Sequence, residues 1–182
     1  MDSIKKILNR TDYINGHDVT KFEETFNKKY NFKYSSLVSS GTDALYLSLK
    51  TLAKKFKSGE IITTPFTFFA TSEIIINAGF TPVFADIDKE TYNILPKSIS
   101  EKINKRTIGI IPVHIFGYPC DMQNIIKIAK LNKLFVIEDC AQATGASINN
   151  KFVGSFGDIN AFSFYPTKNL GAYGDAGLIS TK

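Results

Sequence analysis

A three-layer α/β/α domain built on a mostly parallel sheet is the fold that this sequence predicts, and two patterns carry the expectation. Short apolar runs alternate with amphipathic helical segments along most of the chain, and the helical segments close near Gly or Asn. Strands that alternate with helices of this length imply right-handed crossovers, hence a sheet covered on both faces.

Taken in order, a polar leader precedes a periodic segment that reads as a helix over 18–30, and 36–39 reads as a short apolar strand. The turn Ser39-Ser40-Gly41-Thr42 follows. Leu45, Leu49, Leu52 and Phe56 then fall at i, i+4, i+7 and i+11, one helical face, which predicts a helix over 42–56 ended by Lys57-Ser58-Gly59. The alternation continues with a strand at 60–63, a helix at 70–77, strands at 82–86 and 107–114, a helix at 121–132 and a strand at 134–138. A further apolar strand delivers Ser163, and Gly174 onwards begins another. No internal repeat, low-complexity tract or linker interrupts the chain. Ligands in such sheets collect at the carboxyl ends of the strands.

Composition narrows the function. The 182 residues fit one domain, and 43% hydrophobic with 21% charged is ordinary for a globular chain. No apolar run approaches the roughly 20 residues of a membrane helix, and the N-terminus lacks a signal-peptide core, so the expected location is the cytoplasm. Cys120 and Cys140 stand in neither a CxxC nor a metal-ligand spacing; they read as buried small residues, with no metal expected. The net charge is +5, yet the lysines are scattered and the only arginines are Arg10 and Arg106, which argues against a nucleic-acid partner. The lysine runs at 28–29 and 54–57 read as solvated helix faces.

Three segments carry candidate chemistry. In Ser39-Ser40-Gly41-Thr42-Asp43, a small-residue turn opens a helix, where free N–H groups, the positive dipole end and the Thr42 hydroxyl suit a phosphate; a plain N-cap with nothing bound is the alternative. In Val136-Ile137-Glu138-Asp139-Cys140-Ala141-Gln142, an apolar strand ends in two carboxylates. Asp139 is either a capping group or the partner of a cationic ring nitrogen. In Phe162-Ser163-Phe164-Tyr165-Pro166-Thr167-Lys168, a lysine follows Ser163 on a Pro/Gly-rich loop. It is either solvated or a nucleophilic amine able to form an imine.

These segments, in this order and with SSGTDAL, TTPFTFFATSEIIINAGFTPVFADID, PVHIFGYPCDM, VIEDCAQATGA and FSFYPTKNLGAYGDAGLIST, resemble the DegT/DnrJ/EryC1/StrS sugar aminotransferases, a branch of the fold-type-I pyridoxal-phosphate enzymes. The resemblance runs from about Phe22 to the last residue. It implies the large domain of that fold, pyridoxal 5'-phosphate as cofactor, and Lys168 as the catalytic lysine that holds it. It further implies that Asp139 meets the pyridine nitrogen, that Gln142 contacts the ring hydroxyl, and that Phe68 stacks on the ring face. Gly41 and Thr42, with the Asp43 backbone N–H and Ser163, are implied to hold the phosphate.

The implied reaction moves nitrogen from an amino donor such as glutamate to a nucleotide-linked keto sugar, in an enzyme expected to be a homodimer when full length. Members of a related dehydratase branch carry histidine at the lysine position, so Lys168 favours transamination. Family members are roughly twice this length, so the chain is expected to be their N-terminal half without the C-terminal small domain. A non-catalytic remnant that binds cofactor or a partner chain is the alternative. Tyr165, Asp175 and Cys140 stand where histidine, glutamate and alanine are frequent. His114, at a strand end, is either near the site or a hydrogen-bonded structural histidine.

Overall fold

The computed structural model describes residues 2–182. The elements run α1 (Asp2–Arg10), α2 (His17–Tyr30), β1 (Tyr34–Val38), α3 (Gly41–Ala53), β2 (Glu60–Thr63), α4 (Ala70–Asn77), β3 (Thr81–Phe84), α5 (Pro96–Lys102) and β4 (Thr107–Ile110). Then come α6 (Met122–Asn132), β5 (Phe135–Asp139), the short pair β6 (Ser147–Ile148) and β7 (Lys151–Phe152), β8 (Ile159–Ser163) and β9 (Gly177–Thr181). Seven strands form one sheet in the order β1-β9-β8-β5-β4-β2-β3. The pairs among β3, β2, β4, β5 and β8 are parallel, and β9 runs antiparallel between β8 and β1.

Alternation along each strand sorts side chains to opposite faces. Ile61, Ile111, Ile137 and Ala161 pack under α3 and α4 with Leu45, Leu49 and Ile75. Their sequence neighbours Ile62, Ile110 and Val136 point the other way, against Ile99, Met122 and Ile125 of α5 and α6. On that second side Phe162 joins an aromatic cluster with Phe26, Tyr30 and Phe32, in which Phe26 meets Phe162 edge-on at 5.3 Å between centroids. Helices thus cover both faces, as expected. Among the described residues no helix is long and apolar enough to cross a membrane.

Several expectations need correction. The polar leader folds into α1, whose Ile4, Ile7 and Leu8 lie at helical spacing although none is buried. The expected strand at 107–114 stops at Ile110, because Pro112 has no N–H to give to the ladder. Pairing resumes beyond it, where the Pro112 carbonyl accepts the Asp139 N–H and His114 N–H donates to the Asp139 carbonyl. The helix over 42–56 ends at Ala53, which leaves 54–57 in a turn rather than on a helix face. Neither α5 nor the β6–β7 pair was expected. The first is seven residues long, too short for a periodic pattern to stand out. Cys120 and Cys140 are free and fully buried, as expected.

Candidate active site

A cavity of about 650 Å³ opens beyond the carboxyl ends of the parallel strands, lined among others by Gly41, Thr42, Phe68, Asp139, Gln142, Ser163 and Lys168. Seven residues expected to surround one ligand, from segments spread over 127 positions (168 minus 41), therefore converge on one space. Three of them stand at element ends, where Asp139 closes β5, Ser163 closes β8 and Gly41 opens α3, and the others lie on the adjoining loops or first turn.

One corner of the cavity is built of backbone. A Cβ added to Gly41 would stand 2.6 Å from Ser163 Cβ, so glycine alone lets the start of α3 lie against β8. Gly177 does the same from β9, where a Cβ would come 2.2 Å from the Ser40 carbonyl oxygen. The first N–H groups of a helix lack intrahelical partners, and here Gly41 and Thr42, the first two residues of α3, line the cavity together with Ser163. Asp43 departs from its expected part. Its N–H donates to Ser40 Oγ at 3.0 Å in a helix cap, its carboxylate accepts from the Ser39 and Ser40 hydroxyls, and it does not line the cavity.

Asp139 lies at the cavity floor, 4% exposed. Its carboxylate accepts the Thr71 hydroxyl at 2.9 Å and the Ala141 N–H at 3.1 Å. Burial raises its pKa above its ordinary value, against the pull of those two donors and of the Lys168 charge. Lys168 stands on the loop after β8, half-buried, with its backbone N–H held by the Tyr165 carbonyl at 2.8 Å. Amine and carboxylate thus share one side of the sheet. Gln142 Oε1 accepts the Phe116 N–H at 2.7 Å, which turns the amide so that its NH₂ end is left to donate. Phe116 makes that bond from a left-handed backbone at φ 55. Phe68 is 71% exposed at the mouth.

His114 is structural. It is wholly buried and outside the cavity lining, with Nδ1 accepting the Cys120 N–H at 3.0 Å and Nε2 lying 3.0 Å from Glu138 Oε2. A backbone donor at Nδ1 requires a lone pair there, so the ring carries its proton on Nε2 and gives it to Glu138. Burial opposes charge on this ring while its hydrogen bonds with Cys120, Cys140 and Glu138 pull its pKa up; a second proton would have to displace the Cys120 amide. Glu138 also accepts the N–H groups of Gly154, Phe156 and Gly157. His114, Glu138 and Cys140 offer ligand atoms within 4.8 Å of one another, but hydrogen bonds already engage both carboxylate oxygens and both ring nitrogens. Burial pushes the Cys140 thiol up to about 12.

Sequence reasoning missed Thr67 and Thr71, which line the cavity from the α4 side. A lone threonine on a helix gives no signal, and Thr71 reaches a carboxylate 68 positions away.

The model of the DegT/DnrJ/EryC1/StrS aminotransferase family matches residues 1–182. The UDP-N-acetyl-3-dehydro-alpha-D-glucosamine 3-aminotransferase of Acidithiobacillus ferrooxidans is 44% identical over 181 residues, covering 100% of this chain and 49% of that protein. The dTDP-3-amino-3,6-dideoxy-alpha-D-galactopyranose transaminase of Aneurinibacillus thermoaerophilus is 46% identical over 180 residues, covering 98% and 49%. Among solved structures, NtdA of Bacillus subtilis with bound cofactor PMP superposes with a TM-score of 0.91 at 34% identity, over 99% of this chain and 40% of that one. The chain spans about half the length of the curated relatives it matches. With the cavity, its glycine-lined corner and the lysine–aspartate pair in place, the match over every residue means that the chain belongs to the DegT/DnrJ/EryC1/StrS aminotransferase family, whose cofactor is pyridoxal 5'-phosphate.

Proposed function

We propose that the full-length protein is a nucleotide-sugar aminotransferase, in which these residues form the cofactor site and Lys168 is the catalytic amine. The single observation that carries this reading is that Lys168 and Asp139 line one cavity whose remaining corner is a helix start opened by Gly41, where a Cβ would not fit. The cavity fits a phosphorylated pyridine. Gly41, Thr42 and Ser163 offer N–H and hydroxyl donors to a phosphate, and the buried carboxylate of Asp139 suits a protonated ring nitrogen. Phe68 offers a flat apolar face, and the NH₂ of Gln142 a donor for the ring hydroxyl.

When bound, the cofactor supplies an electron sink that acidifies the α-carbon of an attached amine. Asp139 keeps the ring nitrogen protonated, which requires the carboxylate itself to be ionised. Lys168 Nζ would take the proton from the donor carbon and hold it for return to the substrate, a general acid–base task for a neutral amine. We assign glutamate as donor and a nucleotide-linked keto sugar as acceptor, on the strength of relatives named for UDP- and dTDP-linked sugars. A homodimer accords with Phe68 and Phe116, 71% and 70% exposed beside the cavity mouth, where a second subunit would cover them. We place the protein in the cytoplasm, in keeping with its two free thiols.

Borohydride reduction of the full-length protein with pyridoxal phosphate tests the assignment. One phosphopyridoxyl group should map to Lys168, and prior incubation with glutamate should prevent labelling. Label on another lysine would overturn the lysine assignment, and protection by glutamine but not by glutamate would overturn the donor. In the same protein, Gly41→Ala should weaken cofactor binding by about tenfold or more, since the new methyl forces Ser163 or the start of α3 to move. A spectrophotometric cofactor titration measures it.

A further inference from the structure

The carboxylate of Asp139 does not stand alone. Its Oδ2 accepts the Thr71 hydroxyl at 2.9 Å, and Thr71 Oγ1 in turn lies 3.2 Å from Thr67 Oγ1. An ionised carboxylate only accepts, so the Thr71 proton points at Asp139; the Thr71 oxygen then has only acceptor capacity left, and Thr67 must be its donor. The chain of hydroxyls therefore has one direction, Thr67 to Thr71 to Asp139. It also joins two parts of the site, because Thr67 immediately precedes Phe68 on the loop before α4. Thr71 is 1% exposed, so no water competes for its hydroxyl.

We propose that Thr71 is a positioning residue that holds Asp139 ionised and aimed at the ring nitrogen, and that Thr67 ties this carboxylate to the loop presenting Phe68. The inference rests on the cofactor reading above. The hydroxyl offsets part of the burial that otherwise drives Asp139 towards its protonated form, a form unable to keep a pyridine nitrogen charged. The other titratable groups lining this space are Lys168 and Tyr165 from the loop after β8 and Asp175 ahead of β9; His114 beyond β4, and Glu138 and Cys140 on either side of Asp139, are buried nearby and do not line it. None of them donates a hydrogen bond to the Asp139 carboxylate, whose donors are Thr71 and the Ala141 N–H.

Thr71→Val keeps the shape and removes the proton; Thr71→Ser keeps the proton and removes the methyl. In the full-length protein, Thr71→Val should bind pyridoxal phosphate about tenfold to hundredfold more weakly, the range for losing a hydrogen bond to a charged group. The acidic limb of its pH profile for cofactor binding should move to higher pH, while Thr71→Ser keeps both affinity and profile. Thr67→Val should move both in the same direction by less. Wild-type affinity and profile in Thr71→Val, or equal loss in Thr71→Ser at an unchanged melting temperature, would overturn the proposal. Should Thr71→Val fail to fold, an unaltered profile in Thr67→Val overturns it. Failure of the underlying reading looks different: the wild-type protein would then bind no cofactor, or would carry the borohydride label away from Lys168.

Discussion

Lys168→Ala in the full-length protein is expected to lower amino transfer by at least roughly 10⁴-fold, the upper end for a single acid–base group, because the same amine also anchors the cofactor. Folding should barely change. The side chain stands on an exposed loop, and the one local bond at this position, its backbone N–H to the Tyr165 carbonyl, survives the substitution. A surface change of this kind alters stability by about 0.5 kcal/mol or less. Turnover and a thermal melt on the same preparation measure the two effects. A variant that keeps a tenth of wild-type turnover would remove Lys168 from the reaction.

Glu138→Ala should do the reverse, failing by unfolding. This carboxylate is fully buried and accepts His114 Nε2–H and three backbone N–H groups of the turn after β7. Removing one partner of such a buried pair costs about 3–5 kcal/mol. For a chain of this size that is a drop in melting temperature on the order of 10 °C. Glutamine is no remedy, since its NH₂ would face either the Gly154 N–H and the His114 proton, or the Phe156 and Gly157 amides. His114 cannot yield by changing tautomer while the Cys120 N–H occupies Nδ1.

The pH dependence follows from the same contacts. Burial raises the Glu138 pKa, but the His114 hydrogen bond and the Gly157 and Gly154 amides outweigh it and hold the folded-state value below the ordinary 4.5. An acid whose pKa is lower folded than unfolded stabilises the fold above its unfolded value. That stabilisation is lost as pH falls through the folded value. Melting temperatures measured downward from about pH 5 should therefore fall more steeply for the wild type than for Glu138→Ala, which has no such proton to take up.

Much of this architecture is legible in the sequence because it depends on local order. The run Leu45, Leu49, Leu52 marks the buried face of α3, and β2 and α4 fall where their apolar residues put them. The site residues are legible for a different reason: ordered motifs fix which residue types follow each strand, and the carboxyl ends of parallel strands all open on one side. What escapes is long-range. Nothing near His114 announces that its ring belongs to Glu138, nor does α4 betray that Thr71 ends on Asp139. The Asp43 amide illustrates a closer competition, in which a serine three residues earlier captures a donor that the motif leaves for phosphate.

The antiparallel edge has a consequence for how the protein is made. Among the described residues β1 pairs with β9 alone, with Val38 opposite Gly177, so it emerges from the ribosome long before that partner exists. Until then β1 is an open ladder, waiting on β9. Closing that distant pair is a slow, late event, during which β1 and the finished edge of β8 are both exposed to the wrong neighbours.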